Sequence, residues 1–216
     1  WFAQRFHRPQ LHAIAEMDGV LRLCGIEPRQ HSPVLHALAT DNQAIDERLD
    51  RLGVRGRRIA VFCPLTRWPT KNWPLSEFVD LVKKLPEDFF VIFTGTASEQ
   101  ALISEAVTRL APTRAASFAG CLSLPEYFAL VSIAQLVVTG DSLPMHVASA
   151  YNRPLVALFG PTDESRVAPR SEGSVVVRAD TDCHRCYRRS YCPRSCIGRI
   201  TVAQVAQAID EVLGAH

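Results

Sequence analysis

Val137-Val138-Thr139-Gly140-Asp141-Ser142-Leu143-Pro144-Met145-His146-Val147-Ala148 is the stretch whose reading decides the fold. An apolar run stops at a glycine, an acid and a hydroxyl follow at once, and a helical pattern with an inward-looking histidine comes next. In a parallel α/β protein this junction lies at the carboxyl end of a strand, where open sheets bind ligands. The helix that starts there presents N–H groups without intrahelical partners, which suit a phosphate. A second such junction lies upstream, at Cys63-Pro64-Leu65-Thr66-Arg67-Trp68-Pro69-Thr70-Lys71-Asn72-Trp73-Pro74. Together the two suggest a pocket for a sugar attached to a diphosphate.

The same alternation runs outward from both junctions. Residues 59–63, 89–94, 115–118, 136–139, 155–159 and 174–178 read as strands. Residues 75–85, 98–110, 124–132, 145–151 and 201–213 read as helices, with Pro125 in a first turn and Thr201 as an N-cap. Strands alternating with helices of about a dozen residues mean βαβ units and a parallel sheet. Residues 57–216 therefore read as one Rossmann-like domain. Residues 1–56 read as a helical lead-in, with helices over 11–25 and 43–52 closed by Gly25 and Gly53, and Pro9, Pro28 and Pro33 as breakers.

The net charge of +2 is too small to argue for nucleic acid by itself. No apolar run is long enough to span a bilayer. The start, Trp1-Phe2-Ala3-Gln4-Arg5, is neither a signal peptide nor an initiator methionine and reads as the edge of a fragment of a longer protein. A cytosolic, reducing compartment is the expectation that follows.

At the first junction Thr66, Arg67, Thr70 and Lys71 are cations and hydroxyls of the kind a diphosphate needs, with Trp68 and Trp73 as walls. A solvated basic loop with two packed tryptophans is the plainer alternative. At the second, Asp141 can accept sugar hydroxyls, Ser142 can cap the helix or bind a phosphate oxygen, and His146, one turn on, can face the same pocket. A capping residue and a satisfied core histidine is the alternative there. The glycine-rich GxGxxG of nicotinamide dinucleotide sites is absent from the sequence.

Four segments in this order and context resemble glycosyltransferase family 9, the heptosyltransferases of lipopolysaccharide core assembly. They are Phe62-Cys63-Pro64 through Lys71-Asn72-Trp73-Pro74, Thr94-Gly95-Thr96-Ala97-Ser98-Glu99, Val138 through Ala150, and Arg153 through Thr162. The resemblance implies the C-terminal, donor-binding half of a GT-B enzyme that inverts the anomeric centre and needs no catalytic metal. It implies ADP-heptose as donor, a lipid-linked glycan as acceptor, and work in the cytoplasm at the inner face of the inner membrane. It also implies that the general base sits in an N-terminal domain not represented in this chain. Carried over by position, Thr66 and Lys71 would hold the diphosphate and sugar, with Arg67 beside them. Glu99 would bind the ribose, and Asp141, Ser142 and His146 would hold the diphosphate and donor sugar. One departure stands out: where the family usually has Gly after the Asp-Ser or Asp-Thr pair, this chain has Leu143-Pro144. Proline removes an N–H donor there.

Cys183, Cys186, Cys192 and Cys196 follow the pattern C-x2-C-x5-C-x3-C. Four thiolates in a short loop can close a tetrahedral Zn2+ site of structural type. An iron–sulfur cluster, two disulfides or four free thiols remain open alternatives. Arg185, Arg188, Arg189, Arg194 and Arg199 surround Tyr187 and Tyr191. That composition raises a rival reading, a zinc loop that binds nucleic acid or anionic lipid, against a solvated charged surface. A non-catalytic nucleotide-sugar-binding domain is the other rival. The expectation carried forward is a transferase donor domain that binds no nucleic acid.

Overall fold

Six runs of aliphatic and aromatic residues pair into one sheet: β1 (Arg58–Cys63), β2 (Phe89–Phe93), β3 (Ala115–Ser117), β4 (Leu136–Gly140), β5 (Leu155–Phe159) and β6 (Ser174–Arg178). The computed structural model describes residues 11–28, 35–179, 181, 183 and 185–214. Every residue of β2, β4 and β5 is buried, as in strands covered on both faces. The order is β3-β2-β1-β4-β5-β6 with every neighbouring pair parallel. Phe62 of β1 lies level with Phe93 of β2 and Val138 of β4. Strand order reverses between β1 and β4, so the two junctions read from the sequence lie side by side at the switch point.

The pleat sends successive side chains to opposite faces and so builds two cores. On one face Phe62, Phe93, Val138 and Leu158 pack against α3 (Leu75–Val82), α4 (Gln100–Val107) and α8 (Val202–Gly214). On the other Val61, Ile92, Val137 and Ala157 pack against α2 (Ala39–Arg51), α5 (Leu124–Ile133) and α6 (Leu143–Ala150).

The boundary at residue 56 is corrected by this packing. Ile45 and Leu49 of α2, and Val54 after it, are buried in the second core. Arg48 donates to Glu126 Oε1 of α5 through Nε at 3.3 Å and Nη2 at 3.0 Å. The alternation of α2 is short and its polar residues many, which is why it read as part of a lead-in. Only α1 (Ala13–Leu23) keeps a peripheral character: it buries no residue. It is held by His12 Nε2, which donates to Ala168 O at 3.0 Å, and by Glu16, 2.9 Å from Arg166. Pro9, Pro33 and the opening Trp1–Arg5 segment lie outside the described residues.

Helix ends follow local chemistry. α6 begins at Leu143, earlier than periodicity predicts, because Pro144 falls at the second helical position, where no N–H is required. The predicted Thr201 cap is present: Thr201 Oγ1 accepts from Gln204 N at 3.2 Å and Gln204 Oε1 accepts from Thr201 N at 2.8 Å. Residues 98–110 begin instead as a 3-10 turn, Ala97–Glu99, with Thr96 and Glu99 forming the reciprocal cap.

Candidate functional site

After β1 the chain closes a tight loop. Thr66 N–H donates to Asn72 Oδ1 at 2.8 Å, and the Thr66 hydroxyl donates to the same oxygen at 2.9 Å. Trp68 N–H donates to Thr66 Oγ1 at 3.2 Å. A 3-10 turn, Pro69–Lys71, then lifts Lys71 toward the neighbouring strand. Trp73 anchors the exit. It is buried, its indole N–H donates to Ile200 O at 2.8 Å, and its ring meets Phe78 edge-on at 5.0 Å.

The two junctions meet at one ion pair. Lys71 Nζ donates to Asp141 Oδ2 at 2.7 Å and to Asp141 O at 3.1 Å. The side chains are 14% and 8% exposed, so the pair is largely withdrawn from solvent. Lys71 Nζ also lies over the Trp68 ring, 4.3 Å from its centre. Gly140 permits the approach: a Cβ there would stand 3.0 Å from Lys71 O, a backbone atom with little freedom to retreat.

Beside the pair is a cavity of about 460 Å3, walled by Thr66, Arg67, Glu99, Ser142, Leu143 and Pro144, with Thr94, Phe118 and Tyr127 among its other residues. That volume suits a small-molecule ligand. Cys63 Sγ lies 3.1 Å from Thr94 Oγ1 and 3.5 Å from Tyr127 OH. Burial pushes both the thiol and the phenol up, so both stay neutral at physiological pH.

The structure thus brings Thr66, Arg67, Glu99 and Ser142 to one cavity, while Lys71 pairs with Asp141, the chain neighbour of Ser142, and neither is among its lining residues. Glu99 Oε2 is engaged by Thr96 N at 2.7 Å and Thr96 Oγ1 at 2.8 Å. Two expectations are corrected. Ser142 makes no side-chain cap on α6; its hydroxyl donates to Gly140 O at 3.4 Å. His146 is exposed rather than inward-looking, and it faces a separate hollow of about 150 Å3 against α1, lined also by His12 and Ser149. Desolvation of its ring nonetheless lowers the His146 pKa, Asp141 pulls it up, and His12 and Lys71 push it further down. Sequence reasoning missed Asn72 and Tyr127: a loop-closing amide carries no spacing signal, and Tyr127 sits inside an ordinary amphipathic pattern.

The cysteine loop reaches the same place. Arg185 lies 2.7 Å from Asp163 and 2.8 Å from Glu164. Tyr187 N–H donates to Pro161 O at 3.0 Å, Thr70 Oγ1 donates to Arg189 O at 3.2 Å, and the Arg189 guanidinium covers the Trp68 ring at 4.7 Å. Arg185 and Arg189, counted above as a basic surface, are turned onto the protein. Cys196 is buried, Cys183 and Cys192 are half-buried and Cys186 is exposed. Among the described residues no three His, Cys, Asp or Glu side chains are drawn into a metal-ligating set.

The Arg185 contacts give a pH prediction. Burial alone would raise Asp163, but hydrogen bonds from Ser165 and the charges of Arg185 and Arg166 hold it below its ordinary 3.8. Burial is likewise outweighed at Glu164, by a backbone bond and by Arg185 and Arg178, which hold it below 4.5. Depressed carboxylates stabilise the fold fully above their unfolded pKa and lose that contribution as pH falls through the folded one. The melting temperature is expected to fall below about pH 4.5, and Arg185→Gln to flatten that fall. Superimposable pH profiles for parent and variant would refute the assignment.

A doubly wound sheet with a cation–carboxylate pair and a cavity at its switch point is the architecture in which open α/β sheets bind ligands. Residues 8–195 match the model of glycosyltransferase family 9 (heptosyltransferase), and the chain belongs to that family. It is 35% identical to lipopolysaccharide heptosyltransferase 2 of Escherichia coli K12 over 129 residues, 57% of this chain and 37% of that protein. It is 30% identical to lipooligosaccharide heptosyltransferase 2 of Haemophilus influenzae over 159 residues, 71% of this chain and 43% of that protein. The solved structure of E. coli ADP-heptose lps heptosyltransferase II superposes with a TM-score of 0.73 at 25% identity, over 88% of this chain and 56% of that one. The chain thus spans about two fifths of the length of these curated relatives. Among the described residues no helix is long and apolar enough to cross a membrane.

Proposed function

We propose that this chain is the donor-binding half of an inverting family 9 glycosyltransferase, and that it takes ADP-heptose as donor for a lipopolysaccharide-core or other lipid-linked glycan acceptor. The observation that carries the reading is the Lys71–Asp141 pair, held at the switch point beside the Thr66–Glu99–Ser142 cavity. The similarity to E. coli ADP-heptose lps heptosyltransferase II supports the donor. The acceptor is lipid-linked in this reading, so the reaction runs at the cytoplasmic face of the membrane.

In the transfer an acceptor hydroxyl oxygen attacks the anomeric carbon, the bond from that carbon to the diphosphate oxygen breaks, and the bond pair leaves with the nucleoside diphosphate. The hydroxyl proton goes to a base in the other half of the enzyme; among the described residues none stands in position. Negative charge grows on the leaving diphosphate. Lys71 and the amide end of α6 stabilise it, an electrostatic effect that counts for most in a water-poor site. Asp141 orients Lys71 and accepts sugar hydroxyls. Glu99 takes the ribose hydroxyls.

Calorimetric titration with ADP, ADP-heptose, UDP-sugars and GDP-sugars tests this. ADP species are expected to bind, and a preference for UDP or GDP would overturn the donor. A second reading, a nucleotide-sugar-binding domain without turnover, is favoured by Pro144, which takes one donor from the α6 terminus. Turnover by the full-length enzyme decides between the two.

A further inference from the structure

α1 is 11 residues long and buries none of them. A helix of that length is marginal in water unless an apolar face of it packs on something. Its apolar residues do line up: Met17, Val20, Leu21 and Cys24 stand at i, i+3, i+4 and i+7, and so share one face. Met17 is 64% and Val20 54% exposed, and Cys24, at the end of the helix, is exposed as well. The domain holds a different side of α1, through His12, which bonds Ala168, and through Glu16, one turn on, which pairs with Arg166. Packing there is incomplete, since the hollow of about 150 Å3 lies between His12 and Ile14 on one side and His146 and Ser149 of α6 on the other. Among the described residues α1 is thus held by polar ties, and its apolar face is left largely to solvent.

Charge, chain length and position select the occupant of that face. A helix that lies on a lipid surface carries lysines and arginines along its polar side, whereas α1 carries Glu16 and Asp18 against the single Arg22. The matched relatives contain far more chain than is matched: this chain spans 37% of E. coli lipopolysaccharide heptosyltransferase 2 and 56% of the solved heptosyltransferase II. In position, His146 lies in the first turn of α6, directly after the β4 junction, so α1 is attached near the carboxyl edge of the sheet, the edge at which the donor cavity opens. An acceptor-binding half has to face that edge, because the acceptor hydroxyl must reach the donor sugar there.

We propose that the Met17–Val20–Leu21–Cys24 face of α1 is the seat of the other half of the enzyme and packs against an apolar surface of that half. Contiguous exposed apolar surface of this kind marks a protein contact. Docking there supplies the tertiary packing that so short a helix needs, and it sets the spacing between the bound acceptor and the Lys71–Asp141 pair. That the partner is the acceptor-binding half rests on the donor-half reading given above, whereas the need of α1 for an apolar partner does not.

Cys24 reports on this face directly. The experiment follows its alkylation by peptide mass spectrometry in this 216-residue chain and in the full-length enzyme. Labelling is expected to be at least about tenfold slower in the full-length enzyme, where it waits for local opening. Equal rates would overturn the proposal. So would slow labelling of this chain alone together with a concentration-dependent molecular mass, the mark of a second copy on the face. Met17→Glu with Val20→Glu in the full-length enzyme should restore fast labelling of Cys24 and cut turnover about a hundredfold, since a misplacement of about 1 Å is enough for that, while ADP affinity stays unchanged. Parent-like turnover with Cys24 still protected in that variant would also overturn it. The same two substitutions in this chain should leave its melting temperature unchanged; a lowered one would mean that the chain buries the face itself, and the proposal falls. A full-length enzyme that protects Cys24 but binds no ADP retires the donor reading and leaves the docking face standing.

Discussion

Lys71→Ala is expected to weaken ADP-sugar binding about thirty- to hundredfold, which corresponds to about 2–3 kcal/mol. Two effects act in the same direction. The variant loses a charge-assisted hydrogen bond to phosphate. It also leaves the Asp141 carboxylate, 8% exposed, without its cation and facing the incoming anion. The same orphaned charge should lower the melting temperature, because breaking a buried pair from one side is more damaging than removing it whole. Lys71→Ala with Asp141→Ala should therefore be less destabilised than the sum of the single variants, while affinity stays low. Calorimetry with ADP and thermal melting of all four proteins read both effects. Parent-like affinity in Lys71→Ala would remove the pair from the donor site.

Trp73→Ala is expected to destabilise the domain by about 3–5 kcal/mol, as for other large aromatic truncations in cores. Trp73 is 1% exposed, packs edge-on to Phe78 and holds Ile200 O with its indole N–H. The variant leaves a cavity and an unpaired buried carbonyl at once. Trp73→Phe keeps ring contact and loses the hydrogen bond, for about 1–2 kcal/mol. Urea denaturation measures both. Because Trp73 follows Lys71 by two residues, Trp73→Phe should also weaken ADP binding; a stable Trp73→Ala with intact ADP affinity would show that the loop is anchored elsewhere.

The sheet was readable because its strands are nearly all apolar and separated by helices with a clear buried face. Strand positions 155–159 and 174–178 coincide with β5 and β6 to the residue. The two junctions were readable for the same reason: a buried strand that stops at Gly140 or Cys63 has to release its polar residues at the sheet edge. Elements of one turn were not readable, namely Pro69–Lys71, Ile197–Arg199 and α7 (Glu164–Val167). Such turns bury too little surface to impose a period on the sequence. The placement of His146 was also hidden, since the hollow it faces is built by α1 and residues 167–170, far away in sequence. Nor could any local pattern announce that Arg189 reaches Trp68, because those residues meet only through tertiary structure.

The bond from Trp73 to Ile200 joins positions 127 residues apart. At about 5–20 residues per second of synthesis, the anchor of the donor loop waits roughly 6–25 s for its partner to be made. The strands that flank the loop can pair well before then, so the binding edge of this domain is finished after its sheet on the ribosome. A nascent chain halted before Ile200 would hold a nearly complete sheet with an open ligand edge, and the final stretch, far from the chemistry in sequence, would set the moment at which the domain becomes competent.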